Sequence, residues 1–514
     1  MLFWSIIIAF PLLFLAFHFI PKLPNLKSSP KATSGVSLAT KWSIIAAFAA
    51  LILARFFIAT TVNGYQIDFG WATNWCLNMT SLPPWEVYKS GFFVNYQPFG
   101  LIIYGLTGLL GKILGTLPLL PEGTTAFWPW FFFSGMPSYE NTYTPLIIFH
   151  WGWVLTFKSF PLLADIGLAF IAYRLGKKYS SEKIGLIVAA LMLICPAMMV
   201  DSAIWGQLDS VLTFFIVLSI IFLARVAEKG ETKDWILASV IFTLAILIKP
   251  QAIFFVPLFF AVLIKRWKDW KNILIAIGAI LATIIVVCLP FYDARFSNEA
   301  KQMGLDNFWV FGWIIDKIQG TAGQYQKYSN HAFNIYSLLG LSGDLPMVEV
   351  IKNGVPTKEL KPFWNFYKVL IPAIITFATA WVFHKSAPKS SKKGAPNSSP
   401  LTSNLFLLGG IGMLALFCLM PQMHERYSYP ALIMFYLAYA SMPNRWLMPI
   451  IPALSISIFA NCLKAGASFF YGGNDEMWKG FYSIARGTET QFSYVFVLTL
   501  VYSLFVTYKM IKKN

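Results

Sequence analysis

Long apolar runs recur along this chain and leave it few ways to fold. They occur at about 1–20, 43–62, 160–176, 184–200, 208–225, 235–248, 252–265, 272–289, 366–384, 403–420, 427–442, 446–463 and 493–509. A bilayer core about 30 Å thick needs about 20 apolar residues in a helix, because only internal hydrogen bonds can satisfy the backbone there. With about thirteen such runs the chain is expected to be an all-α polytopic membrane protein. Composition agrees: 57% of residues are apolar and 12% charged, where a soluble domain carries about 25% charged residues. An ordinary soluble enzyme and a disordered chain are excluded. The five cysteines (76, 195, 288, 418 and 462) have no metal-ligand spacing, and their odd number argues against a disulfide scaffold.

The net charge of +17 is a threading signal. If the runs alternate across the membrane, the linkers 21–42 and 385–402, the turns near 174–183, 225–234 and 265–271, Arg445 and the C-terminal tail all fall on one side. That side holds 23 of the 40 basic residues and only 5 of the 23 acids. It is expected to be cytoplasmic and to attract anionic lipid, with no role for nucleic acid. Residues 1–20 lack a basic n-region and an A-x-A site, so they read as a retained span. The expected organisation is an extra N-terminal span and basic linker (1–42), a transmembrane block (43–384) with outer loops 63–159 and 290–365, a basic cytoplasmic linker (385–402), and a C-terminal transmembrane block (403–514). Within the first loop, 98–117 and 143–157 read as interfacial helices or a paired re-entrant element.

Charges at a membrane edge are costly, and each marks a candidate site. Asp68 lies among Tyr65, Phe69, Trp71 and Trp75, a poorly hydrated setting that suits a general base; it also fits an acid that merely faces water. Asp165 follows Lys158 by seven residues, so on a helix the two share a face and are expected to serve one polar patch or form a structural ion pair. The stretch from Asp201 to Asp209 puts Trp205, Gln207 and Asp209 at a turn that lines a site or meets headgroups. Lys249-Pro250-Gln251 breaks an apolar stretch, and the lysine there can snorkel or meet a phosphate. His424, Glu425 and Arg426 stand side by side. Arg suits bidentate phosphate recognition and His suits donation or proton carriage, with two of the three expected to share a cleft. Aromatic and amide side chains in 324–336, Asn334 included, fit sugar rings or ordinary loop packing. No Walker loop, dinucleotide fingerprint, HExxH, G-x-S-x-G or CxxC is present, so an outward-facing site would need a membrane-delivered substrate.

Asp68, NYQPFG (95–100), IWGQLDS (204–210), IKPQA (248–252), HAFNIY (331–336) and MHERY (423–427), in that order, resemble the C-type membrane glycosyltransferases (GT-C). Within that group the chain is most similar to bacterial relatives of the PIG-V-type GPI mannosyltransferases, over about 43–440. The resemblance implies a GT-C fold with amphipathic outer-loop helices. It implies a polyprenyl-phosphate-linked sugar, mannose or another hexose or pentose, as donor and transfer to an acceptor hydroxyl with inversion. By similarity Asp68 is the general base, while Lys249, His424 and Arg426 hold the donor phosphate. Gln207, Asp209 and Gln251 orient sugar or phosphate. Asp165, Trp205, Tyr96, Asn334 and Glu425 complete the sugar and acceptor side. The chain departs from the group in Gln97, which replaces the first proline of a YPPG-like form, in Asp68 standing as a single acid with no acidic neighbour, which argues against a metal, and in its extra N-terminal span.

The expected partners are the lipid-linked donor, membrane lipid and a glycan, lipid or protein acceptor, with no nucleic acid and no cofactor. The expected location is the plasma membrane, multi-pass, with an extracytoplasmic site (the endoplasmic reticulum in a eukaryote). A lipid-linked glycan flippase or a surface polysaccharide polymerase or ligase is the alternative.

Overall fold

The computed structural model describes residues 38–62, 65–88, 93–118, 151–323, 325–341, 343–352, 355–386, 400–470 and 487–513. The principal helices are α1 (Leu38–Thr61), α2 (Gln66–Ser81), α3 (Pro98–Ile113), α4 (Trp151–Tyr179), α5 (Glu182–Leu193), α6 (Asp209–Lys229), α7 (Thr232–Ile246), α8 (Val256–Lys265), α9 (Trp270–Cys288), α10 (Trp309–Gly323), α11 (Pro362–Ser386), α12 (Pro400–Leu419), α13 (Tyr429–Ser441), α14 (Ile450–Phe470) and α15 (Glu489–Lys513). Among the described residues seven helices are long and apolar enough to cross a membrane, and the bent pair Glu182–Leu193 and Pro196–Trp205 makes an eighth. About thirteen were expected. The run at 1–20 lies outside the described residues, and the runs at 252–265, 427–442 and 446–463 are shorter apolar helices.

Helices that are apolar all round divide by their neighbours. Helices α12 and α13 are buried through most of their length, while α1, α9 and α11 turn large side chains such as Phe57, Val286 and Val369 outward, as lipid contact requires. Helices from both sides of the 387–399 segment pack together, α12 against α6 and α13 against α4.

Two breaks shape one end of the bundle. The first follows Leu193, where Pro196 opens a new turn. The buried Arg55 fills the gap, donating to the carbonyls of Leu193 at 2.7 Å and Met198 at 3.2 Å. That is how a broken helix stays satisfied away from water. The second lies between Ile246 and Pro250. There Gly100, at the start of α3, donates to the Leu247 carbonyl at 3.0 Å, and an added Cβ on Gly100 would stand 2.9 Å from the Ile248 oxygen. The glycine of NYQPFG therefore lets α3 dock against the turn that carries Lys249. At the opposite end of the bundle the basic turns close on one another, with Arg266 donating to the Val226 carbonyl at 3.0 Å and Lys177 paired to Glu182 at 2.7 Å.

Two expectations for the first outer loop change. The described part of 143–157 is the beginning of α4, so it forms no separate interfacial element. The loop also begins with a helix, α2, whose first turn carries Asp68. Helix α3 fits the other stretch; it buries Leu101, Ile103 and Tyr104 and exposes Leu106, Leu109 and Ile113, so both of its faces are apolar.

Candidate active site

Three loops and one helix start converge at the broken end. The Trp205–Gly206–Gln207 turn ends the bent span. Gly206 has φ +80°, and a Cβ there would approach Phe157 to 2.8 Å, so only glycine turns the chain here without strain. Its N–H and that of Gln207 donate to the Asp201 carbonyl at 2.9 and 3.0 Å. The turn aims Trp205 and Gln207 at Asp68. The Asp68 Oδ2 accepts from Trp205 Nε1 at 3.1 Å and from Gln207 Nε2 at 2.7 Å. Its Oδ1 accepts no hydrogen bond among the described residues. Burial raises the Asp68 pKa above the ordinary carboxylate range, against the opposing pull of the Arg426 guanidinium.

Asp209 opens α6, where the helix dipole favours an anion. Its carboxylate is fully used: Oδ1 accepts from Gln251 Nε2 at 2.7 Å, and Oδ2 accepts from Lys249 Nζ at 2.8 Å. Arg426 Nε lies 3.3 Å from the same Oδ2, close enough for an ion pair though not aligned as a hydrogen bond. Burial works to lower the Lys249 pKa, but the Asp209 carboxylate outweighs it and the lysine stays firmly protonated. The Gln207 Oε1 accepts from Lys249 Nζ at 3.4 Å and from the Tyr96 hydroxyl at 3.2 Å. One amide thus ties the Asp68 side of the cleft to its cationic side.

The 424–426 segment reaches the cleft from the C-terminal block. A short parallel bridge pairs β1 (Ser329–Asn330) with β2 (Met423–His424) and pins the segment to the long loop. Arg426 lies over the Trp205 ring at 5.1 Å and pairs with Glu425. Glu425 is buried, yet Arg426 and His424 hold its pKa well below the usual range. His424 sits edge-on to Tyr325 at 5.2 Å, with Nδ1 3.7 Å from Glu425. Glu425 is buried between its neighbours and engages both, with Arg426 over Trp205 in the cleft and His424 toward its edge.

Asp68, Tyr96, Trp205, Gln207, Asp209, Lys249, Gln251, Glu425 and Arg426 thus form one connected cluster with His424 at its edge. Asp165 and Asn334 stand apart. Lys158 and Asp165 do not share a patch: Lys158 donates to the Ala59 and Val62 carbonyls at the end of α1, at 3.0 and 2.7 Å. Seven residues are about 10.5 Å along a helix axis, so each group found its partner on another helix. Asp165 pairs with Arg55 and accepts from Ser202 at 2.5 Å and Tyr429 at 2.7 Å, fully buried. Asn334 is a helix cap whose Oδ1 accepts from the backbone N–H of Tyr336 and Ser337 at 3.1 and 3.3 Å.

The sequence reading missed Arg55, Ser202, Ser210 and Tyr429. They run as a buried chain behind the cleft, with Ser210 3.0 Å from the Tyr429 hydroxyl and donating to Asp201 at 3.2 Å. Arg55 alone was signalled, as a lone charge inside an apolar run.

Comparison with known proteins gives one family match over part of the chain and two distant structural likenesses. Residues 147–292 match the family described as dolichyl-phosphate-mannose-protein mannosyltransferase. No curated protein matches in sequence. The crystal structure of ArnT from Cupriavidus metallidurans bound to undecaprenyl phosphate is similar at 13% identity, with a TM-score of 0.44 over 92% of this chain and 76% of that one. The archaeal oligosaccharyltransferase AglB from Archaeoglobus fulgidus, in complex with an inhibitory peptide and a dolichol-phosphate, is similar at 12% identity, with a TM-score of 0.34 over 91% of this chain and 56% of that one. Likeness so distant carries no functional argument. The matched family is that of the protein mannosyltransferases, so a closer tie to the PIG-V type stays an expectation. The matched segment, under a third of the chain, holds the Trp205–Asp209 turn and Lys249, and over that stretch this chain of many apolar helices is similar to the dolichyl-phosphate-mannose-protein mannosyltransferases.

Proposed function

We propose that this protein moves a sugar, mannose or a related hexose or pentose, from a polyprenyl-phosphate carrier to an acceptor hydroxyl. The observation that carries the reading is the meeting of the Asp68 carboxylate with the Lys249 and Arg426 cations across one cleft, joined by Trp205 and Gln207. The acceptor oxygen attacks the anomeric carbon while its proton passes to Asp68 Oδ1. The bond between the anomeric carbon and the phosphate oxygen breaks, and the carrier phosphate leaves with the added charge. Lys249 and Arg426 hold that charge, with His424 beside them. Attack opposite the leaving phosphate inverts the anomeric centre. Asp209, Gln251 and Glu425 set the cations in place, and Gln207 and Tyr96 orient the sugar.

The basic ends of the helices lie opposite the cleft, which supports an extracytoplasmic site in a plasma membrane. It is expected to need no metal, because Asp209 already spends both oxygens on Lys249, Gln251 and Arg426. The test is the purified protein in proteoliposomes with labelled polyprenyl-phosphate mannose, galactose, glucose or arabinose. Release of polyprenyl phosphate from any of them supports the reading. Failure of all four to bind or turn over refutes it and moves a flippase ahead.

A further inference from the structure

Beside the Asp68 cluster lies a cavity of about 350 Å³. One wall is Tyr88 with residues 93–97, and the other is α10, together with Ser297. Tyr96 belongs to this wall, and its hydroxyl donates to Gln207, which donates in turn to Asp68. Two hydrogen bonds therefore separate the cavity from the proposed base.

The wall has three properties that select a ligand. First, its charges cancel: the Asp316 carboxylate accepts from Ser297 Oγ at 2.5 Å and Ser297 N at 3.2 Å, with Lys317 Nζ at 3.4 Å. An anion or cation would arrive without a counter-charge. Second, the wall offers acceptors that lack donors. Gln97 is fully buried. Its Nε2 donates to Thr321 at 3.2 Å, but its Oε1 has no partner, and neither has the buried Asn95 Oδ1. Buried amide oxygens left unpaired cost desolvation energy that ligand hydroxyls would relieve. Third, the aromatic part is rigid: Tyr88 packs edge-on to Trp313 at 5.3 Å and donates to the Tyr96 carbonyl at 2.7 Å.

We infer that this cavity is the distal part of the acceptor subsite and that it takes one or two rings of a neutral glycan whose reacting hydroxyl extends past Tyr96 to Asp68. The inference rests on the transferase reading above and names its acceptor class. Hydroxyl donors meet the unpaired amide oxygens of Gln97 and Asn95, and an uncharged ring matches the cancelled charge. The volume is in the range of small-ligand pockets, about 300–1,000 Å³. A peptide would ask for an extended groove or a free strand edge.

The test uses the full-length protein in nanodiscs free of glycoside detergent, read by saturation-transfer NMR. The probes are mannobiose and methyl mannoside, a mannose phosphate, and a neutral Ser/Thr hexapeptide. The key variant is Gly320→Trp. An added Cβ at Gly320 meets no atom within 4 Å, so the indole is expected to occupy the cavity without disturbing the helix. Gln97→Leu is the second variant, removing the unpaired amide at nearly constant size. Mannobiose should bind the wild type, at least about tenfold more weakly in Gly320→Trp and several-fold more weakly in Gln97→Leu.

The inference is overturned if no neutral sugar binds the wild type or if Gly320→Trp leaves mannobiose binding unchanged. It is also overturned if the peptide or the mannose phosphate binds better than mannobiose and is the one displaced. Polyprenyl phosphate binding, measured by thermal shift on the same samples, separates the two readings. It should be equal in wild type and Gly320→Trp. Its absence from the wild type removes the donor assignment and leaves the glycan result to stand or fall by itself.

Discussion

Replacing Asp68 with Asn keeps the shape of the side chain and removes only its charge and basicity. The amide oxygen can still accept from Trp205 Nε1 and Gln207 Nε2, now at 3.1 and 2.7 Å from Oδ2. Converting two charge-assisted bonds to neutral ones costs about 2 kcal/mol, and relieving a partly buried charge offsets most of it. Stability should therefore change by no more than about 1 kcal/mol. The amide nitrogen takes the place of Oδ1, the oxygen that would receive the acceptor proton. Losing a positioned general base lowers the rate by about 10²–10⁴-fold, which is about 2.7–5.4 kcal/mol in the barrier. The assay is transfer from a labelled polyprenyl-phosphate sugar in proteoliposomes, with donor binding measured alongside. Expected is a collapse of kcat with donor affinity within about threefold and an unchanged Tm. A variant that keeps more than a tenth of wild-type kcat removes Asp68 from the role of base. The wild-type pH profile is a second check. The base acts in its deprotonated form and burial raises its pKa, so activity should fall on acidification at a pH above the ordinary aspartate range.

Arg426→Lys should weaken polyprenyl phosphate binding by about 10–100-fold, because a lysine cannot both cover the Trp205 ring and pair with Asp209 and Glu425; unchanged affinity would take Arg426 out of the phosphate site. Arg55→Met should destabilise the protein by about 3–5 kcal/mol by stranding Asp165 as an unpaired buried charge. The double variant Arg55→Met/Asp165→Leu should recover much of that loss, and equal melting of single and double variants would contradict the pairing. Exhaustive treatment with EDTA should leave transfer unchanged; activity lost to EDTA and restored by Mn²⁺ or Mg²⁺ would show that a metal takes part.

Membrane architecture was legible because hydropathy belongs to each residue and adds along the chain. The runs at 43–62, 208–225 and 272–289 became helices with little shift. The chemistry was partly legible for the same reason. A charge such as Lys249, Asp209 or Arg426 at the end of an apolar run is costly wherever it folds, so its presence asks for a function. What such a charge pairs with is another matter. Asp68 and Gln207 are 139 positions apart, and Asp165 and Tyr429 are 264 apart. Helical spacing alone favoured Lys158 as the partner of Asp165, but packing α4 against α1 gave Lys158 to the end of that helix and Arg55 to the aspartate.

Asn334 shows the same division, since its amide looks equally suited to a sugar or to a cap until the following turn folds back on it. The sequence by itself determined that the chain is greasy enough to cross a bilayer many times, though not the number of crossings, and which polar residues stand at the ends of the apolar runs. Tertiary structure alone decided which of those residues meet. That depends on breaks at Pro196 and Pro250 and on close approaches allowed by Gly100 and Gly206, and the direction of a broken helix is set by what packs against it.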